Sequence, residues 1–181
     1  MKELSLNLLD IAENSVRAGA TRVEIDVFDL KKDDVVSLEI RDNGCGMSPE
    51  FLASVTDPFT TTRTTRRVGL GLPLLKMEAE QAEGGFEIES EVGKGTRTKA
   101  WFKRSNIDMP PLGDLSGSMI TLIQGSPEID FIYRRRTDAG EFTLSIPEVR
   151  EELGGISVGE PEILAWIGEY LAENEAEIED R

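Results

Sequence analysis

The stretch D10-I-A-E-N-S-V-R-A-G-A20 places an acidic side chain and an amide side chain one helical turn apart. Apolar residues recur at intervals of three and four through this part of the chain, and Gly19 follows the last of them. This spacing is typical of an amphipathic helix that ends at a glycine. Residues four apart lie on one face of a helix, so we expect Asp10 and Asn14 to be presented together.

Alternating patterns follow this helix. Residues 22–30 and 35–42 alternate apolar and polar side chains across a polar KKDD turn, which predicts an antiparallel hairpin. The tripeptide S48-P-E50 predicts the start of a short helix, because serine caps helices and proline suits their first turn. Residues 72–83 have helical spacing and end at two glycines, and residues 86–102 are typical of two strands joined by a glycine turn.

A boundary is predicted at S105-N-I-D-M-P-P-L-G-D114, where two prolines and a glycine interrupt the periodic patterns. Beyond it, MITLIQ (119–124), DFIYRRR (130–136) and EFTLS (141–145) are predicted as strands, with the arginine run at an exposed hairpin tip. Two closing helices are predicted, one from PEVREEL and a longer one that begins at Pro161.

The net charge of −15 belongs mainly to the second part of the chain. Residues 1–105 contain 15 basic and 18 acidic residues, a balance of −3, whereas residues 106–181 contain 5 and 17, a balance of −12. We expect these ranges to be two domains, the second an acidic α+β extension of unknown role. Its charge repels phosphate backbones, so we expect no nucleic acid partner.

Several kinds of site and location are disfavoured by what the chain lacks. Histidine is absent and Cys45 is the only cysteine, which removes the commonest zinc ligand, the commonest general base and any internal disulfide. No apolar run is long enough to span a bilayer, and acids interrupt the first ten residues. We therefore expect a cytoplasmic protein with no membrane partner.

Two glycine-containing segments are suited to hold a nucleotide. In D42-N-G-C-G46, the acid after a strand can accept a hydrogen bond from an exocyclic amine, while the glycines allow the backbone to approach the ring. Adenine fits this arrangement, whereas guanine presents a different edge. The second segment, G69-L-G-L72, opens a helix whose free amides and positive dipole end suit a triphosphate.

A basic loop rich in threonine lies between these segments, and its hydroxyls and arginines can contact the outer phosphates. Magnesium usually takes one or two protein oxygens together with waters and phosphate oxygens, and the side-chain oxygen of Asn14 is suited to this. The residues predicted to bind ATP and Mg²⁺ are Asn14, Asp42, Gly44, Gly46, Thr61, Thr62, Arg63, Gly69, Leu70, Gly71 and Leu72.

The segments DIAENSVRAGATRVEIDV, DNGCGM, DPFTTT and VGLGLPLLK resemble, in this order, the N, G1, F and G2 boxes of the GHKL ATPase superfamily. That superfamily includes gyrase-type topoisomerases, ninety-kilodalton heat-shock chaperones, sensor histidine kinases and MutL proteins. The resemblance covers residues 1 to 104 or so, and from Thr56 onward it is greatest with histidine kinases. It implies an α+β fold, a two-layer α/β sandwich of the Bergerat type, with a mixed sheet and helices on one face.

The resemblance also implies roles for single residues. Asn14 corresponds to the magnesium ligand, Asp42 to the acid that recognises adenine, and Thr96 of GKGT to a threonine near that base. Asp10 stands where hydrolytic members carry glutamate and histidine kinases usually carry asparagine. It is the predicted catalytic residue, although aspartate is one methylene shorter than glutamate as a general base. Glu13 is an alternative acid, but its spacing from Asp10 turns it elsewhere on the helix.

Two functions are open at this point. The first is an enzyme that hydrolyses ATP or transfers its phosphoryl group in a signalling role. The second is a nucleotide-gated binding module that regulates a partner complex with negligible catalysis. Without histidine in the chain we expect no autophosphorylation on histidine, so an acceptor lies on a separate protein or is a serine, threonine or aspartate.

The arrangement of an ATPase segment with a short extension is similar to proteins that accompany iron-only hydrogenase and NADH-dehydrogenase-like subunits. This similarity implies a redox-related protein partner. Under it, Cys45 is either a reporter of redox state or a small residue that fills a tight loop.

Overall fold

Strands β1 (Arg22–Leu30) and β2 (Val35–Asp42) lie at the centre of a mixed six-stranded sheet in the computed structural model, which describes residues 3–57 and 71–179. The two strands pair antiparallel, as their alternating patterns predict, with Val23 opposite Asp42. On its other side β1 pairs in parallel with a strand from the second part of the chain.

The other elements surround this central pair. Strands β3 (Gly85–Glu91), β4 (Gly95–Lys103), β5 (Asp130–Thr137) and β6 (Gly140–Ser145) complete the sheet in the order β3-β4-β2-β1-β5-β6. The described helices are α1 (Leu4–Arg17), α2 (Pro49–Ser54), α3 (Gly71–Gln81), α4 (Leu115–Gly125), α5 (Ile146–Leu153) and α6 (Pro161–Ile178).

The two faces of the sheet differ in chemistry. On β1, Val23, Ile25 and Val27 are buried against a layer that contains α1, α3, α4 and α6. The side chains between them belong to a charged face, where Asp26 accepts a hydrogen bond from Arg41 at 3.0 Å. The predicted two-layer α+β fold with a mixed sheet is therefore confirmed.

Most of the predicted elements are confirmed. Helix α1 ends at Arg17, shortly before Gly19, and α3 occupies the segment predicted from its helical spacing. Ser48 caps α2 by accepting a hydrogen bond from the Phe51 amide at 3.2 Å. The hairpin of β3 and β4, the hairpin of β5 and β6, and the two closing helices also lie where the patterns place them.

The prediction of a strand at MITLIQ is wrong, because these residues lie in α4. The Asp114 carboxylate caps this helix and accepts a hydrogen bond from the Gly117 amide at 2.9 Å. A contiguous apolar run is compatible with either a buried strand or a buried helix. Here the Asp114 cap and the intervals of three and four between the buried residues favour the helix. The residues of α4 that are buried at helical spacing are Leu115, Met119, Leu122 and Ile123.

The prediction of an exposed hairpin tip at the arginine run is also wrong, since the run lies inside β5. Alternation along the strand turns Arg135 toward the helices, and its side chain is only 7% exposed. Arg135 Nε lies 3.3 Å from Glu175 Oε2, and the Tyr133 hydroxyl donates to Glu175 Oε1 at 3.1 Å. Burial, together with the Glu175 charge, raises the pKa of Tyr133 well above its usual value, so this hydroxyl remains a donor.

The acidic segment is joined to the first part of the chain by this sheet and by the helix layer. Parallel pairing runs from Arg22 opposite Asp130 along the length of β1. In the helix layer, the Ser118 hydroxyl of α4 donates to the Ser5 carbonyl of α1 at 2.9 Å. None of the helices in the described ranges combines the length and the apolar composition needed to cross a membrane.

Replacing Glu175 by alanine is expected to lower the free energy of unfolding by about 3 kcal/mol, because the buried Arg135 guanidinium loses its ion-pair partner. Urea unfolding followed by circular dichroism measures the change. Glu177→Ala, at an exposed position of the same helix, is the control and should alter stability by less than about 0.5 kcal/mol. Equal losses in the two variants would contradict a buried ion pair.

Candidate functional site

A cavity of about 490 Å³ lies between α1, the loop after β2, α2, the first turn of α3 and the start of β4. Its walls include apolar side chains from each side, among them Ile11, Met47 and Leu72. Cavities of this size with apolar walls and few polar groups are typical of small-molecule sites. The predicted residues that line it are Asn14, Asp42, Gly46, Leu72 and Thr96.

Asp42 is the acid among the described residues that line this cavity, and both of its carboxylate oxygens accept hydrogen bonds. The Gly44 amide donates to Oδ1 at 2.9 Å, and the Ser15 hydroxyl donates to Oδ2 at 2.6 Å. A carboxylate oxygen can accept two hydrogen bonds, so each keeps one acceptor site for a ligand. Gly44 itself does not line the cavity and acts here through Asp42.

Ser15 was not among the residues predicted for the site, although α1 contains a signal for it. Leu4, Leu8 and Ile11 form the buried stripe of this helix, and Ser15 continues their spacing. Its side chain is 4% exposed. A hydroxyl at a buried position requires a partner, and a strand-ending acid is a suitable acceptor.

Thr96 is brought to the site by strand register, because it lies directly opposite Asp42 in the pairing of β4 with β2. Its hydroxyl is 2.8 Å from the hydroxyl of Ser90. Ser90 Oγ also accepts a hydrogen bond from the Met47 amide at 2.8 Å and donates to the Gly95 carbonyl at 3.0 Å. Ser90, which sequence reasoning missed, therefore links the loop after β2 to the start of β4.

The loop after β2 is held closely against its neighbours. The Cys45 amide donates to the Ala18 carbonyl at 2.9 Å, and the Gly93 amide donates to the Cys45 carbonyl at 2.8 Å. Gly46 has a φ of +70°, and a methyl group at this position would overlap the Glu91 carbonyl. Glycine is required at position 46 for both reasons.

Asn14 lines the cavity one turn of helix from Asp10. Its Oδ1 accepts a hydrogen bond from Arg17 Nη1 at 3.3 Å at the exposed end of the cavity. The described residues contain no group of three or more acids or cysteines able to hold a metal ion. A single amide oxygen fits Mg²⁺ that takes its other ligands from phosphate and water, provided that Arg17 releases Asn14.

Asp10 does not line the cavity and instead packs against the first residue of α3. The space that a methyl group on Gly71 would occupy is taken by the Asp10 carboxylate. Burial raises the pKa of Asp10, and the positive charge of Arg17 opposes this shift. The carboxylate therefore lies at the positive end of the α3 dipole in a partly desolvated position.

Five predicted site residues lie outside the described part of the chain. They belong to the threonine-rich segment and to the glycine segment G69-L-G-L72, and they are Thr61, Thr62, Arg63, Gly69 and Leu70. Of that glycine segment, Gly71 and Leu72 are described; Gly71 contacts Asp10 and Leu72 lines the cavity.

Comparison with known proteins gives a family match over the first part of the chain. The model of the family described as "Histidine kinase-, DNA gyrase B-, and HSP90-like ATPase" matches residues 1–106. Sensor protein SrrB of Staphylococcus aureus is 35% identical over 101 residues, which cover 53% of this chain and 17% of that protein. A protein of Shewanella frigidimarina named as a sensor protein is 33% identical over 109 residues, covering 59% and 17%. The chain thus spans about a sixth of the length of these relatives.

A similarity to solved structures concerns the fold alone. The N-terminal domain of a DNA repair protein superposes with a TM-score of 0.55 and 17% sequence identity. The superposition covers 80% of this chain and 53% of that one. This share is larger than residues 1–106, so the common fold includes part of the acidic segment.

Gly71→Ala is expected to lower the free energy of unfolding by about 1–3 kcal/mol, because the new methyl group displaces the Asp10 carboxylate. Gly168→Ala is the matched control inside α6, where no atom lies within 4 Å of the added methyl group. It should raise stability by about 0.5–1 kcal/mol, because alanine favours a helix interior. Urea unfolding of both variants gives the sign of each change in the free energy of unfolding. A gain in stability from Gly71→Ala would contradict the contact with Asp10.

Proposed function

We propose that the cavity binds ATP with Mg²⁺, because the chain belongs to the histidine kinase-, DNA gyrase B- and HSP90-like ATPase family. On this proposal the chain hydrolyses the nucleotide, or passes its phosphoryl group to a separate protein, in a signalling or regulatory role. The observation that carries the proposal is the Asp42 carboxylate, which lines an apolar cavity and is held there by Ser15 and Gly44.

The geometry at Asp42 favours adenine over guanine. Both carboxylate oxygens already accept a hydrogen bond from the protein and keep one acceptor site each, so the group accepts donors and offers none. The exocyclic amine of adenine is such a donor. The carbonyl oxygen at the same position of guanine would face a negative charge without a hydrogen bond.

The opposite end of the site is suited to phosphates. The N-terminal, positive end of the α3 dipole lies at Gly71, and Arg17 lines the cavity together with Asn14. Asn14 would hold the Mg²⁺ ion, which supplies positive charge to neutralise the phosphate oxygens. The roles of Thr61, Thr62, Arg63, Gly69 and Leu70 as phosphate contacts and of Thr96 near the adenine stay predictions.

Asp10 is the residue we propose as general base for an attacking water. Burial raises the pKa of Asp10, which makes its carboxylate a stronger proton acceptor. The acid is placed by α1 one turn from Asn14, on the side of the helix that contacts α3. A water between Asp10 and the terminal phosphate would extend the reach of this shorter side chain.

The alternative, a nucleotide-gated binding module, is favoured by one observation about the same residue. The Asp10 carboxylate packs against Gly71 and does not line the cavity, so its distance from a bound phosphate limits catalysis. In this alternative, ATP binding changes the surface that the chain offers to a partner. The acidic second part favours a protein partner over nucleic acid, and a redox-related protein of the cytoplasm stays our expectation.

Asp42→Asn is expected to weaken ATP binding about 100-fold, because the amide loses one acceptor oxygen and turns a donor toward the adenine amine or the Gly44 amide. Isothermal titration calorimetry with a non-hydrolysable ATP analogue and Mg²⁺ measures the affinity. Asp108→Asn, at an exposed position outside the cavity, is the control and should bind like the unmodified chain. Unchanged affinity in Asp42→Asn would contradict the proposed nucleotide site.

Asp10→Asn separates the enzyme from the gated module. If Asp10 is the base, this variant should bind ATP normally but release phosphate about 100-fold more slowly. Glu13→Gln, the neighbouring acid, should keep the full rate. ATP labelled on its terminal phosphate, incubated with the chain alone and then with cell extract, reports whether label becomes free phosphate or attaches to a protein. If the parent chain and Asp10→Asn both release phosphate only at the background rate, and no protein becomes labelled, the enzyme is excluded and the gated module is the remaining function.

A further inference from the structure

The solvent face of α6 carries a row of glutamates around one tryptophan. We call this the α6 face and define it by Glu162, Trp166, Glu169, Glu173 and Glu177. These residues follow one another at helical spacing, and each is exposed. The opposite side of α6 packs on α4 and on the last two strands, far along the helix layer from the nucleotide cavity.

The acids of the α6 face differ from the acids on the sheet, which pair with arginines, in having no ion-pair partner among the described residues. On the charged face of the sheet, Glu24 is 3.0 Å from Arg22, and Glu39 is 3.2 Å from Arg97. Within residues 3–57 and 71–179, no lysine or arginine forms an ion pair with a glutamate of the α6 face. The negative charge of this face is therefore available to a partner.

Helix stability does not account for this charge pattern. Glu169, Glu173 and Glu177 are spaced four apart, so their charges repel along the helix by about 0.2–0.5 kcal/mol for each pair. Acids near a helix C-terminus also oppose the macrodipole, and the last turn of α6 contains no basic residue. Glu162 in the first turn complements the macrodipole, whereas the acids in the second half of the face lower the stability of the helix.

Trp166 is the apolar centre of the face and is held in place before any partner arrives. Its side chain is 48% exposed, and its ring stacks on Tyr170 with centroids 5.9 Å apart. Tyr170 is fixed by an edge contact with Phe142 at 6.3 Å and by a hydrogen bond from its hydroxyl to the Thr143 carbonyl at 3.0 Å. A rigid, exposed tryptophan is a common energetic centre of protein interfaces.

We propose that the α6 face is the docking surface for a basic segment of a partner protein. An arginine or lysine of that segment lies on the Trp166 ring, while its neighbours pair with the surrounding glutamates. A second copy of this chain fits less well, because two such faces would bring glutamates against glutamates in a chain of net charge −15. This docking uses no residue of the nucleotide cavity, so it stands or falls independently of ATP binding.

The test uses a fluorescently labelled, amidated peptide of alternating arginine and leucine as the probe, with the full chain titrated against it in an anisotropy assay. Trp166→Ala is expected to weaken binding about 30-fold, because the stacking surface is lost. Replacing Glu162, Glu169 and Glu173 together by glutamine should weaken it at least about tenfold and reduce its dependence on salt. Both variants should keep the circular dichroism spectrum and the urea midpoint of the parent chain, which shows that they are folded.

The matched control removes the same charge elsewhere. Glu148, Glu151 and Glu152 are exposed acids of α5, and their joint replacement by glutamine removes the same three negative charges without touching Trp166. This control should change the affinity less than about threefold if the site is local. Equal weakening by the two triple variants would overturn the proposal, since attraction would then depend only on total charge.

Two other results would also overturn it. Unchanged probe binding by Trp166→Ala would remove the aromatic centre from the site. A concentration-dependent dimer of the chain alone in sedimentation velocity, lost in Trp166→Ala, would assign the α6 face to a second copy.

Discussion

The hydrogen bonds that Ser15 and Gly44 donate to Asp42 connect the helix layer, the sheet and the loop after β2 at one carboxylate. Ser15 belongs to the buried stripe of α1, so its hydroxyl lies on the side of the helix that faces Asp42. The same helix carries Asn14 and Asp10, at a rise of about 1.5 Å per residue. A single helix therefore sets the spacing between the Ser15 contact to Asp42 and the polar groups toward α3.

Charge is distributed in two different ways over the molecule. On the charged face of the sheet, acids and arginines alternate between neighbouring strands, and Arg41 lies within 3.5 Å of Glu24, Asp26 and Glu39. These pairs neutralise one another across strands that come from distant parts of the chain. On α6 the acids stand without such partners among the described residues. The net charge is thus a property of particular surfaces, and the sheet contributes little to it.

Alternation, helical spacing and glycine positions are local signals, so they predicted most of the elements and the place of Asp42 at the end of a strand. Prediction from the sequence failed at MITLIQ, where a contiguous apolar run has no period that separates strand from helix. It failed at Arg135, because charge suggested exposure while strand alternation turns the side chain inward onto Glu175. Ser90 acts through contacts between residues distant in sequence, and spacing alone could not identify it.

The parallel pairing of β5 with β1 makes the acidic segment part of the sheet that carries the cavity. β1 has a neighbour on each side, β2 on one and β5 on the other. A chain cut after residue 106, where the family match stops, would leave β1 as an edge strand with a row of unpaired amides beside Val23 and Ile25. Such an edge is a template for self-association, so the second segment also protects the first from aggregation.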